Sequence, residues 1–285
     1  MSTERNASPA DEPQTFTPPV GLPPRAKRTH IHLPARHNAK LQQVLETVQA
    51  DEELYALWHA QNVNAVTRLG MSDHGPVHMQ IVANLALHLL RLLVKHGVTP
   101  SAVKDHGMDY DDAEVIVTLA ALLHDIGMSI HRANHEEYSL IIADRKLPGL
   151  LAPAYPDVGL RTLVQSDILH AIIAHRAGGR PFTLEAGIVR VADALDMAKG
   201  RSRIPFEQGE INIHSVSAMA VESVQVEEGE KKPIRVHIIL RNSAGIFQVD
   251  SLLKEKLKGS GLEPYIEVLA ESTGHEEPLV RIFEI

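Results

Sequence analysis

The stretch LAALLHDIGMSIHRANHEEYS, from Leu119 to Ser139, places two ionisable side chains at the end of an apolar helix. His124 and Asp125 lie side by side there, and leaving an imidazole and a carboxylate unpaired among apolar groups is costly. Two kinds of compensation are open, namely hydrogen bonds to the backbone at the helix end or a bound metal ion. The dipeptide alone favours the first.

Two further segments carry the same kind of interruption. His78 breaks the inward-facing stripe of one predicted helix, and Asp193 breaks the apolar face of another, in GIVRVADALDMA. With His124 and Asp125 they can supply two nitrogens and two carboxylates to one point. Such a set suits a divalent cation (Mn²⁺, Fe²⁺, Co²⁺, Ni²⁺ or Zn²⁺), with positions left open for water. The recurrence therefore favours a metal site that activates water.

The order His78, His124-Asp125, Asp193 resembles the H…HD…D pattern of the HD phosphohydrolase superfamily, over roughly Ser72 to Arg203. This resemblance implies that the four residues ligate a first metal ion on successive helices of a bundle. It also implies a catalytic role for Asp125, which bridges to a second ion if one binds.

Three histidines between the doublet and the last aspartate extend the resemblance: His135, His170 and His175. Some superfamily members, including the HD-GYP phosphodiesterases, hold a second ion with histidines from this interval. His175 is the best placed, whereas His170 comes five residues earlier and does not share its helix face. His135 is expected to be either a metal ligand or the general acid that protonates the leaving group. Met128 stands where HD-GYP proteins have lysine and no GYP follows His175, so cyclic di-GMP is not favoured as the substrate.

Arginines flank the motif segments. A guanidinium group can hold phosphate oxygens with two parallel hydrogen bonds. We therefore expect substrate contacts from Arg176, Arg201 and Arg203, with a solvated surface role as the alternative for each.

Three more side chains lie near the motifs. Asp196 follows Asp193 by three residues and is expected to orient a ligand or to pair with an arginine. His74 precedes a Gly-Pro pair, so it either joins the metal ligands or has a capping or surface role. His131 is expected at the wall of the site.

The elements that must position these residues are mostly helical, and the predicted fold class is mainly α. A disordered, proline-rich tail is expected over 1–38. An HD-type helical bundle follows over 39–207, where apolar residues recur at spacings of three and four. Residues 208–285 alternate between apolar and polar positions and predict a small α+β module.

Local signals predict where individual helices begin and end. Pro76 suits the first position of a long helix that Gly97 ends. Asp111 and Glu114 have the spacing of a capping box, before a helix that is apolar on every side and therefore central. The helix that carries Asp193 is expected to end at Gly200.

In the module, PIRVHIIL predicts a half-buried strand. Asp250 is expected to cap a short helix, SLLKEKLK. Further strands are predicted at INIHSV, SVQVEE, YIEVLA and LVRIFEI.

Composition limits the class of protein. The 285 residues are 44% hydrophobic, which supplies a core, and the absence of cysteine leaves only nitrogen and oxygen ligands for a metal. The net charge of −8 argues against long nucleic acids, and no leader or membrane-spanning run of apolar residues is evident. A cytoplasmic protein that acts on a small substrate is expected.

These observations predict a metal-dependent phosphohydrolase that cleaves a phosphate ester of a nucleotide, either a phosphomonoester or a phosphodiester. One or two divalent ions are the expected cofactors. The alternative is a metal-stabilised scaffold whose C-terminal module binds a partner or ligand without catalysis. The module is expected to regulate the bundle or, through its exposed strand edges, to form a homodimer.

Overall fold

The computed structural model describes residues 21–23, 28–176, 178–197, 217, 219–273 and the backbone of 282–284. A helical bundle comes first and a small sheet with a short helical segment follows, which confirms the predicted fold class. The bundle helices are α1 Ala39–Ala50, α2 Glu52–Asn62, α3 Pro76–Lys95, α4 Ser101–His106, α5 Tyr110–Leu123, α6 His135–Leu151, α7 Val158–Ala174 and α8 Leu184–Leu195. A π-helical turn, Val63–Arg68, extends α2, and a 3₁₀ turn, Ile126–Ser129, follows α5.

Helix α5 lies at the centre of the bundle and contacts α1, α3, α7 and α8. Every residue from Asp112 to Leu123 is buried, which confirms the predicted central helix. The predicted capping box is wrong by two residues, because Asp109 caps the helix and Asp112 completes the box. In the segment DYDDAE, Asp109 and Asp112 are three residues apart, as are Asp111 and Glu114. The Glu114 carboxylate accepts hydrogen bonds from Asn38 and Arg91, which lie outside the helix. Asp111 therefore has no capping role.

Helix α3 begins at Pro76, and Gly97 follows its end with a φ of +81°, so both predicted ends are confirmed. Among the described helices, α3 is the one long and apolar enough to cross a membrane, with a mean hydropathy of 1.5 over its best window. The bundle buries 56% of that window. Helix α3 is accordingly a core helix of the bundle.

Helix α6 is absent from the sequence-based prediction. Its sequence, HEEYSLIIADRKLPGLL, buries an apolar stripe that includes Ala143, Leu147 and Leu151, but charged residues lie among these positions and Pro148 lies inside the helix. Helix α7 begins at Val158, behind the N-cap Asp157. Helix α8 ends at Leu195, and its predicted end at Gly200 lies outside the described residues.

The segment before α1 packs against the bundle. Ile31 and Ala35 are buried, and the Asn38 side chain caps α1 by accepting the Leu41 N–H at 2.8 Å. The predicted tail therefore extends too far over 28–38, since Pro34 does not prevent the apolar side chains on either side of it from reaching the core. Residues 1–20 and 24–27 of that tail lie outside the described residues.

The module contains a four-stranded sheet in the described residues, with the order β1-β2-β3-β4. Its strands are β1 Val221–Glu228, β2 Ile234–Leu240, β3 Ile266–Ser272 and β4 Ile282–Glu284. Strand β2 pairs antiparallel with β1 and parallel with β3, and β4 pairs antiparallel with β3. The alternating burial along β2 confirms the predicted half-buried strand. The segment INIHSV lies outside the described residues.

The helical segment of the module begins earlier than predicted. A π-helical turn, Gln248–Leu253, leads into α9, Lys254–Leu257. Asp250 lies inside that turn and pairs with Lys254 at 2.9 Å, so its predicted role as a cap is wrong.

Candidate metal centre

The ends of several helices meet at one buried place in the bundle. His78 lies in the first turn of α3, and His135 is the first residue of α6. The other ends supply His124 and Asp125 after α5, His175 after α7, and Asp193 in the last turn of α8. Convergence of helix ends, rather than proximity in sequence, therefore assembles the predicted histidines and aspartates.

Asp125 lies at the middle of this cluster, and its two oxygens face different histidines. Its Oδ2 lies 3.7 Å from His78 Nε2 and 3.4 Å from His124 Nε2. Its Oδ1 lies 3.0 Å from His135 Nε2 and 3.6 Å from His175 Nε2. The carboxylate thus divides the cluster into two sides.

Asp193 completes the first of these sides. Its Oδ1 lies 3.6 Å from both His78 Nε2 and His124 Nε2. Two ligand atoms that are each about 2.1 Å from one ion lie roughly 3 to 4 Å apart. The observed spacings therefore suit a metal ion between these groups.

Every histidine of the cluster turns Nε2 towards Asp125, and its Nδ1 meets an oxygen acceptor. A ring whose Nδ1–H is donated to a carbonyl keeps a lone pair on Nε2, which is the form that binds metal. The acceptors are Ser72 O for His74 (2.7 Å), Asp196 Oδ2 for His78 (2.5 Å), Ala121 O for His124 (2.8 Å), Arg132 O for His135 (3.0 Å) and Ile172 O for His175 (2.6 Å).

The environment of His124 shows whether these residues fit a metal ion. Its ring is fully buried, its Nδ1–H is donated to Ala121 O, and its Nε2 has no hydrogen-bond partner among the described residues. A buried polar atom without a partner costs free energy. A cation placed between this nitrogen and the two carboxylates removes that cost, so the residues fit a divalent ion.

Electrostatics in the metal-free protein agree with a cation site. Burial disfavours the charged His124 ring, but the carboxylates of Asp125 and Asp193 prevail and raise its pKa to about 10. Burial also opposes the charge on Asp193, yet Lys256 and His124 hold the pKa of that carboxyl well below its usual range. Burial lowers the pKa of His175, which favours its neutral, metal-binding form.

Gly127 of the HDIG segment explains how α6 approaches the centre. A Cβ atom at this position would lie 2.0 Å from His135 O and 2.4 Å from Ser139 N. The Gly127 N–H also donates to Ser139 Oγ at 2.8 Å. The glycine therefore lets the first turn of α6 lie directly against the turn that follows Asp125.

Two predicted roles are corrected by the structure. His170 lies away from the cluster, because its Nε2 accepts the Phe182 N–H at 2.9 Å and its ring stacks on Phe182. Its place five residues before His175 on α7 turns it to a different face. His131 is exposed and accepts the Ala133 N–H at 3.0 Å, so it shapes the turn before α6 and does not wall the site.

The predicted arginine contacts have different outcomes. Arg176 is exposed and pairs with Glu137 at 2.8 Å. Arg201 and Arg203 lie outside the described residues, so their contacts stay predictions. Arg132, which flanks the motif, has Nη1 2.9 Å from His135 Nδ1.

Two residues join the cluster beyond the predicted ligands. His74 is buried, with its Nε2 4.0 Å from Asp125 Oδ2, and only its spacing of four from His78 signalled this. Lys256 of α9 places its Nζ 3.3 Å from Asp193 Oδ2. No local pattern marks this lysine, because it comes from the module. Asp196 orients His78, as one of its two predicted roles required.

The helical bundle carries a cluster of histidines and aspartates that could hold a metal ion, and the chain belongs to the HD-domain family of the metal-dependent phosphohydrolase superfamily. The model of the family described as "HD domain" matches residues 77–198. The chain is also 45% identical over 209 residues to a protein of Methanocaldococcus jannaschii named "Uncharacterized protein MJ1020". The matched region covers 73% of this chain and 80% of that relative. No solved structure matches the chain.

Proposed function

We propose that the protein is a metal-dependent phosphohydrolase that cleaves a phosphodiester of a nucleotide in the cytoplasm, with two divalent ions joined by Asp125. The main support is the arrangement around that carboxylate, whose two oxygens face two separate groups of Nε2 atoms. Membership of the HD-domain family supports the hydrolase class.

The first ion would be held by His78, His124, Asp125 and Asp193, and the second by Asp125, His135 and His175. A divalent transition-metal ion at such a centre lowers the pKa of bound water and neutralises charge that develops on a phosphoryl group. The ion would be Mn²⁺, Fe²⁺, Co²⁺, Ni²⁺ or Zn²⁺, since the donors are imidazoles and carboxylates.

The position of His135 favours the ligand role over the general-acid role. Its Nε2 lies 3.0 Å from Asp125 Oδ1, on the same side of the carboxylate as His175. Four protein ligands on the first side and three on the second leave coordination positions for water and substrate oxygens. A centre for two ions suits a phosphodiester, because both the attacking and the leaving oxygen can be stabilised.

The experiment is a product screen with the purified protein loaded with Mn²⁺. Nucleoside monophosphates, triphosphates, cyclic nucleotides and dinucleotides are each tested for cleavage. We expect turnover of a phosphodiester and a loss of about a hundredfold or more in Asp125→Asn. Asp144→Asn is the control, because Asp144 is an exposed carboxylate of α6 that pairs with Gln165. No turnover of any compound by protein shown to hold metal would overturn the proposal.

A further inference from the structure

Helix α9 of the module brings a cation to the metal centre. The Lys256 ammonium lies 3.3 Å from Asp193 Oδ2 and donates a hydrogen bond to His175 O. Asp193 faces the histidines with its other oxygen, Oδ1. Lys256 therefore lies beside both sides of the centre without displacing a ligand atom.

A buried arginine fixes the backbone of Lys256. Arg190 of α8 is 2% exposed, and its Nε donates to Lys256 O at 2.8 Å while its Nη2 donates to Glu255 O at 3.2 Å. Its Nη1 donates to Arg176 O and Gly179 O, each at 2.7 Å. One guanidinium thus joins α9 to the segment that follows His175.

A close backbone contact holds the same two elements together. A Cβ atom at Gly187 of α8 would lie 2.2 Å from Ser260 O, just beyond α9. Helix α8 and the segment after α9 are therefore in direct contact, and the position of the Lys256 side chain is determined by the bundle.

The ammonium has capacity for a further partner. It carries three N–H donors, of which two are used by Asp193 and His175 among the described residues. Its side chain is 18% exposed, so it reaches solvent at the edge of the centre. A fixed cation with a remaining donor beside a metal centre is suited to a phosphoryl oxygen.

We propose that Lys256 binds a phosphoryl oxygen of the substrate, which makes the C-terminal module a part of the active site. This inference rests on the proposed phosphohydrolase function. It gives the module a role in substrate binding that neither dimerisation nor regulation describes.

The test measures the binding of inorganic phosphate to Mn²⁺-loaded protein by calorimetry in Lys256→Met and Lys256→Arg. We expect phosphate to bind about tenfold to a hundredfold more weakly to Lys256→Met and nearly normally to Lys256→Arg. Lys254→Met is the matched control, because Lys254 is on the same short helix but pairs with Asp250 at the surface. Its phosphate affinity should equal that of the unmodified protein.

A Mn²⁺ titration of each variant separates contact with phosphate from support of Asp193. Removing a cation beside Asp193 does not weaken Mn²⁺ binding electrostatically, so Lys256→Met should retain its metal content. Melting of the metal-free variants checks folding, and Lys256→Gln replaces Lys256→Met if the latter is unfolded. Unchanged phosphate affinity, or a loss that is matched by lost Mn²⁺, would overturn the inference, as would the absence of phosphate binding to unmodified protein.

The two proposals fail separately in these measurements. Turnover by unmodified protein with no effect of Lys256→Met on phosphate binding would leave the hydrolase function and remove the role of Lys256. Phosphate binding that depends on Lys256 without turnover of any compound would leave the role of Lys256 in binding phosphate and remove the hydrolase function.

Discussion

The histidines of the centre are oriented by the ring nitrogen that faces away from Asp125. Four of the five Nδ1 atoms meet backbone carbonyls, and His78 meets the carboxylate of Asp196 at 2.5 Å. A carboxylate partner orients the ring and makes the other nitrogen a stronger ligand. Among the residues that orient the ligands, Asp196 is therefore the one whose loss should weaken metal binding most directly.

Asp196→Ala should weaken Mn²⁺ binding about tenfold to a hundredfold, because His78 loses the acceptor that orients its ring. Calorimetric titration of the metal-free protein measures this change. Asp144→Ala, at an exposed position of α6, should bind Mn²⁺ as the unmodified protein does. Equal affinity in Asp196→Ala would contradict the orienting role.

His175→Ala should remove the ion on the Oδ1 side of Asp125, whereas His170→Ala should leave the metal content unchanged. The two histidines lie five residues apart on and just after α7, but only His175 faces the cluster. Elemental analysis of both variants after dialysis measures the number of ions per chain. An equal effect of the two substitutions would show that the cluster is wrongly assigned.

At the level of elements, close backbone contacts position the ends of the helices. Gly127 allows the turn after α5 to meet the first turn of α6, which carries His135. The sequence HDIG therefore encodes a helix contact as well as two ligands. The need for glycine here is steric, since its φ is not among the positive values.

Gly127→Ala should lower the free energy of unfolding by about 2 to 3 kcal/mol, because the new methyl group overlaps the backbone of α6. Gly149→Ala, inside α6 with open space around it, should instead be stabilising by roughly 0.5 to 1 kcal/mol. Denaturant unfolding of the metal-free proteins measures both changes. A Gly127→Ala protein as stable as the unmodified one would contradict the proposed contact.

Glu114 connects α5 to α3 and to the segment before α1. Burial raises its pKa, but hydrogen bonds from Arg91, Asn38 and His37 prevail, and the pKa is lowered from 4.5. A carboxyl with a lowered folded-state pKa contributes stability above its unfolded value, and this stability is lost as the pH falls through the folded value.

Glu114→Gln should therefore be less stable than the unmodified protein by about 1 to 3 kcal/mol at neutral pH. The difference should shrink as the pH falls from 4.5 through the lower folded-state pKa, because the carboxyl then becomes protonated in the folded protein as well. Denaturant unfolding at a series of pH values tests this. A difference that is independent of pH would contradict the ionic role.

Local patterns in the sequence predict much of the bundle. The apolar run before His124 predicts the central helix α5, and its polar interruptions predict the first set of ligands. Helix α6 escapes the prediction because its charged residues and Pro148 hide its buried face. His74 is left with alternatives because a Gly-Pro pair separates it from α3, although backbone contacts place its ring in the cluster.

At the level of the whole molecule, both parts of the chain contribute side chains around the cluster, because Lys256 of the module lies beside Asp193 of the bundle. Lys256 follows Asp193 by 63 residues, and its short helix combines two lysines and a glutamate, which are typical of a surface, with the buried Leu257. Periodic patterns in a sequence indicate local secondary structure. A contact between two elements that are far apart in the sequence leaves no such pattern. The expected roles of the module in dimerisation or regulation stay predictions.

Anomalous diffraction from crystals grown with Mn²⁺ would show whether Asp125 joins two ions. We expect two peaks, one beside Asp125 Oδ2 with His78, His124 and Asp193, and one beside Oδ1 with His135 and His175. The Lys256 ammonium should remain beside Asp193 in the same crystals. A single peak, or no peak within the cluster, would show that Asp125 does not join two ions.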